Sequence, residues 1–170
     1  MLERQHGITR LVSREFPSLN FQVATLPFET GGWVETLFSV VRLMSGRELR
    51  MRLVTLDCST IYHGVDVLGQ VRAMPDGVGA SCYFNVESVA SLTAQGSVAS
   101  QFSYIQLDDA GYISCVAEKQ VISSMANTGA YIFRDGRRFR AAAEKLLEGA
   151  GTAGDRGGLY ASGLISAMLR

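Results

Sequence analysis

The stretch VAEKQVISSMANTGAYIF, residues 116–133, sets an acid and a base side by side at the end of one apolar run and opens the next run with ANTG. Both runs read as buried strands. Residues 112–117 carry Ile113, Cys115 and Val116, and residues 130–133 carry Ala130, Tyr131, Ile132 and Phe133, rich in β-branched and aromatic side chains. ANTG reads as a flexible turn next to charge, where a ligand could sit. On a continuing strand the adjacent Glu118 and Lys119 face opposite ways, so one meets solvent while the other meets a ligand. An ordinary hairpin with a solvated tip gives the same pattern, because paired charges at strand ends are common.

Working outward, LVTLDCSTIY (53–62) is an apolar strand that breaks into small polar residues at 57–60. Open α/β sheets do this at the carboxyl ends of their strands, and their ligands bind there. The rest of the chain alternates helix and strand. Residues 9–16 read as a short helix before Pro17, 21–26 as a strand, and 34–44 as a helix entered through Gly31-Gly32, with Val34, Leu37, Phe38 and Val41 on one face. A short helix over 66–74 ends at Pro75 and the Asp76-Gly77 turn, and 80–86 reads as a strand. Residues 88–101 are rich in Ser, Ala, Thr and Gln and read as a mobile surface loop. Strands 102–107 and 112–117, joined by Asp108-Asp109-Ala110-Gly111, give a hairpin signal. An amphipathic helix over 139–148, a glycine-rich linker over 149–158 and a last helix over 159–169 complete the reading, with one domain spanning residues 1–170.

These segments, in this order, resemble the sugar-phosphate nucleotidyltransferases, GT-A-like α/β enzymes that join a nucleoside triphosphate to a phosphorylated sugar or similar small phosphoester. The resemblance rests on GWVET (32–36), LDCSTIY (56–62), Ser103-Tyr104-Ile105, the Glu118-Lys119 pair and ANTGAY (126–131), and it covers the chain from about Ile8 to Arg170. It implies a three-layer Rossmann-like, GT-A-like mixed sheet flanked by helices. It also implies a set of roles: Glu118 on acceptor hydroxyls, Lys119 on its phosphate, Asn127, Thr128 and Gly129 in the pocket wall, and Glu35 on the nucleotide side.

The chain departs from that pattern in three places. The family opens with a strand, a glycine-rich GxGxR-type loop around the triphosphate and a phosphate-contacting lysine, which this sequence lacks, so a domain truncated at its N-terminus is expected. The family's Mg2+-binding aspartate falls at Ser59, and a hydroxyl is a poorer ligand for a hard dication. Asp57, two residues earlier and on the same strand face, is the candidate catalytic residue and metal contact, displaced by about 7 Å. Gly158 stands where an acidic residue precedes the family's last helix.

Composition narrows the partners. Lys plus Arg and Asp plus Glu both number 16, so no net basic field recommends nucleic acid or a membrane surface, and hydrophobic content of 47% supports one core. Arg134, Arg137, Arg138 and Arg140 read as a solvated face, with phosphate or partner binding as the lesser reading. Cys58, Cys82 and Cys115 form no CxxC pair and read as reduced, buried and structural. Residues 1–10 lack a long apolar core, and a cytoplasmic location is expected. His6 and His63 are isolated and read as surface residues. A sheet without the family's first strand leaves open edges, so a homo-oligomer or a partner chain covering them is expected. Three functions remain open: a nucleotidyltransferase with weakened Mg2+ binding, a non-catalytic member that binds a sugar phosphate or a protein, and a scaffold whose polar strand ends are only solvated turns.

Overall fold

The computed structural model describes residues 2–88, 101–150 and 159–169. It divides into two compact units, Met1–Thr30 and Gly31–Arg170. The first holds helices α1 (Leu2–His6) and α2 (Ile8–Glu15), separated by Gly7 at φ 57, and α2 buries none of its residues. The run 21–26, expected as a strand, forms none. A strand needs a neighbour to take its backbone hydrogen bonds, and no described strand pairs with this one.

The second unit is an open sheet flanked by helices. Its strands are β1 (Leu53–Leu56), β2 (Ala80–Asn85), β3 (Ser103–Leu107), β4 (Ile113–Glu118) and β5 (Met125–Phe133). Every described pairing is antiparallel, where a mixed sheet was expected. β5 is the organising strand. Tyr131 pairs with both Thr55 of β1 and Ser81 of β2, and Ala126 with both Phe84 of β2 and Tyr104 of β3. So β2 runs along one edge of β5, while β1 and β3 share the other.

Side chains alternate across β5 and sort the helices. Tyr131 and Phe133 pack in one cluster with Val34 and Val41 of α3 (Trp33–Val41), Phe139 and Ala143 of α5 (Gly136–Ala150) and Leu164 of α6 (Ala161–Met168). Ile132 packs in a second cluster with Val67 and Val71 of α4 (Val67–Ala73). Val34 and Val41, both 0% exposed, lie two turns apart on one face of α3, and full burial of an aliphatic side chain contributes roughly 1.5–3 kcal/mol. Local chemistry fixes the helix starts. Asp66 caps α4 by accepting from Gly69 N at 2.7 Å, and Asp135 caps α5 by accepting from Arg138 N at 2.8 Å. No described helix is long and apolar enough to cross a membrane.

Several expectations shift against these elements. ANTG is not a turn: residues 126–129 lie inside β5, which starts at Met125, and the turn after β4 falls at 119–124 instead. Cys58 and Cys115 are exposed and Cys82 is half-buried, against the expectation that all three are buried. Cys58 sits in the turn after β1, and Cys115 lies beside the exposed Ser114 on β4, where Val116 takes the buried position. Arg134, Arg137 and Arg138 are exposed, and Arg134 and Arg137 reach Asp135 at 4.0 and 3.8 Å. The hairpin turn is built as read: Asp108 Oδ1 accepts from Ala110 N and Tyr112 N, and Gly111 takes φ 82. Of the surface loop and the glycine-rich linker, residues 89–100 and 151–158, with Gly158, lie outside the described residues.

Candidate functional site

A cavity of about 550 Å³ opens where the end of β1, the middle of β5, the end of β4 and the starts of α3 and α6 meet. Five of the residues singled out from sequence line it: Asp57, Glu118, Asn127, Thr128 and Gly129. Ser59 lines it too.

β5 carries polar residues mid-strand because each finds a lateral partner. Asn127, 6% exposed, receives the Ser81 hydroxyl on its side-chain carbonyl and donates to Ser103 Oγ at 2.8 Å, bridging β2 and β3. Thr128 Oγ1 donates to Cys82 O at 3.1 Å. Its backbone carbonyl accepts from Thr60 Oγ1 at 2.9 Å, and the Tyr62 hydroxyl lies 3.0 Å from Thr128 Oγ1. The loop after β1 is thereby tied to β5. Opposite this point the β2 pairing slips between Ser81 and Tyr83, and Gly129 takes φ 84. The bulge presses Gly129 against Asp57, whose N–H donates to Gly129 O at 3.1 Å.

Burial pushes the Asp57 carboxyl above its usual range, and the neighbouring Trp33 side chain offsets this only in part. Tyr131, in the floor, is pushed up to about 12. Burial dominates, a hydrogen bond to Ser103 opposes it, and the negative charges of Asp57 and Glu118 add to it. Tyr131 therefore stays a neutral phenol near both carboxylates. Glu118 is the last residue of β4, and its Oε2 accepts from the buried Ser162 of α6 at 2.7 Å.

Two sequence-predicted residues stand apart from the lining. Lys119 leaves the strand at φ 55, with Nζ 5.4 Å from the ring centre of Tyr160, a lining residue. Glu35 accepts from Gly31 N at 2.5 Å and holds the turn that starts α3. Sequence reasoning missed the aromatic walls: Trp33, Phe84, Phe102, Tyr131 and Tyr160. Trp33 is the only tryptophan and follows the Gly31-Gly32 pair, which was the available signal. Ser103 and Tyr131 were read only as parts of motifs.

Among the described residues, no three His, Cys, Asp or Glu side chains gather so that they could hold a metal ion. A second cavity, about 410 Å³, is lined mainly by apolar residues such as Ile132, Phe133, Ile165 and Met168, with Arg134 and Arg138. It lacks the carboxylates and amides that converge in the first.

No protein-family model matches the chain, and no curated protein matches it. Among solved structures, the nucleoside-diphosphate-sugar pyrophosphorylase from Vibrio cholerae RC9 has a similar fold, with a TM-score of 0.69 and 19% identity over 97% of this chain. The chain spans 64% of the length of that protein. At this identity the likeness is one of fold: an open sheet flanked by helices, arranged as in that protein.

Proposed function

We propose that this chain is a nucleotidyltransferase-like protein, GT-A-like in its layering, whose cavity binds the small phosphoester acceptor, a phosphorylated sugar or a molecule of similar size. The observation that carries the reading is the convergence of Asp57, Glu118, Asn127, Thr128 and Gly129 on one cavity, in a fold similar to that of a nucleoside-diphosphate-sugar pyrophosphorylase. Glu118 accepts from ligand hydroxyls with the acceptor capacity that Ser162 leaves free. Asn127 and Thr128 form the wall, and their hydrogen bonds to Ser103 and Cys82 fix it before a ligand arrives. Gly129 lets Asp57 approach. Lys119, at the rim, offers the compact charge that a phosphate needs. We assign Glu35 to the nucleotide side indirectly, through the turn it holds.

Magnesium would rest on Asp57 and on the ligand's own phosphate oxygens, since Mg2+ commonly takes one or two carboxylates plus substrate phosphates. Ser59 offers only a hydroxyl beside it. That substitution, together with the absence of a three-ligand cluster among the described residues, favours a second reading in which the chain binds the phosphoester without transferring a nucleotide.

Calorimetric titration of the purified chain with hexose 1-phosphates and short phosphoalcohols, with and without Mg2+ and nucleoside triphosphate, tests the reading. One class of phosphoester is expected to bind near one per chain, and Glu118→Ala is expected to weaken it at least tenfold, consistent with loss of a charged hydrogen-bond acceptor. Triphosphate binding that depends on Mg2+ would favour transfer over binding alone. Absence of binding by every phosphoester would sink the proposal.

A further inference from the structure

The lining of the central cavity has an unbalanced charge. Asp57 and Glu118 both face it, and none of its described lining residues is Lys, Arg or His. Among the described residues neither carboxylate belongs to an ion pair. Glu118 instead accepts a neutral hydrogen bond from Ser162, and Asp57 is partly buried in the same cavity beside Trp33. Two carboxylates in a partly desolvated cavity raise a field that draws a positive charge.

The walls favour the same kind of visitor. Five lining residues are aromatic: Trp33, Phe84, Phe102, Tyr131 and Tyr160. Two pairs of them are braced edge to face, Trp33 with Tyr131 at 5.4 Å and Phe84 with Phe102 at 5.3 Å, so they form preset surfaces. At the rim a cation already sits against one of these rings, Lys119 against Tyr160. Aromatic faces with carboxylates behind them are the chemistry that recognises an alkylated ammonium, through ring quadrupoles and field together. A sugar ring also stacks on aromatic faces and donates to carboxylates, but it leaves both negative charges uncompensated.

We propose that the acceptor bound here is a zwitterionic phosphoester, with a methylated ammonium group held between the aromatic walls and the carboxylates and a phosphate directed to Lys119 at the rim. This rests on the reading of the cavity as a phosphoester site and specifies its ligand. Asp57, whose carboxyl is held above its usual range by burial, gains the counter-charge that none of the described lining residues supplies.

The test is calorimetry on the intact chain with three ligands: phosphocholine, its neutral isostere 3,3-dimethylbutyl phosphate, and glucose 1-phosphate. Phosphocholine is expected to bind at least about tenfold more tightly than the isostere, and Glu118→Gln to narrow that ratio. Equal affinity for phosphocholine and its isostere would overturn the inference. Binding of glucose 1-phosphate without phosphocholine would overturn it too, while leaving the phosphoester site standing. If none of the three binds, both the inference and the reading beneath it fall. Because the comparison uses the unaltered chain, it holds even where the variant fails to fold.

Discussion

At Gly129 the backbone takes φ 84, and a Cβ placed there would lie 2.2 Å from Asp57 Oδ2. Both the left-handed conformation and the contact exclude a side chain. Gly129→Ala is expected to destabilise the chain by about 2 kcal/mol or more, read by chemical denaturation, and adding Asp57→Ala should recover the part due to the clash but not the part due to φ. Asp57 carries a separate pH signature. Burial raises its pKa in the folded chain, so the folded state holds the proton more tightly than the unfolded one. Stability from this group is therefore full below the ordinary carboxylate range and falls as pH rises through the raised value. Asp57→Asn keeps the shape of the side chain and removes the charge. It should be more stable than the parent at pH 7 and lose that advantage near pH 3, as compared by denaturation at the two values. A variant less stable at pH 7 would mean that Asp57 is stabilised as the anion.

At the scale of the element, β5 shows how far sequence carries. Its last four residues are apolar and were legible as a strand, and β1, α4, the β3–β4 hairpin and α6 were placed close to their observed bounds from period and turn chemistry. ANTG was read as a turn because Asn, Thr and Gly favour turns when nothing else satisfies them. Here the partners come from Ser81, Ser103, Cys82 and Tyr62, between 24 and 66 positions away in sequence, which no local pattern reveals. Asn127→Ala should test this directly. Removing the bridge leaves the Ser81 and Ser103 hydroxyls without it, at an expected cost of about 2 kcal/mol by denaturation. A change within experimental error would mean that β5 does not depend on its polar bridge. The same limit explains the strand expected over 21–26: propensity suggests extended structure, and only a neighbouring strand makes it real.

At the scale of the whole molecule, charge balance and hydrophobic content framed one core, and linked motifs led to a fold like that of a solved nucleoside-diphosphate-sugar pyrophosphorylase. The candidate site was half legible. The carboxylates and the Asn-Thr-Gly wall were readable because they sit in motifs, whereas the aromatic walls come from α3, β2, β5 and the approaches to β3 and α6, and converge only on folding. The central claim is that this convergence is a phosphoester site, and the Arg134–Arg138 cavity is the natural rival for an anion. An amide-resolved NMR titration with a phosphoester that binds by calorimetry separates the two. The account predicts the largest shifts at residues 57–60, 118–119 and 127–129, with Gly77, Gly79, Arg134 and Arg138 little moved. Shifts centred on Gly77, Arg134 and Arg138 would contradict it.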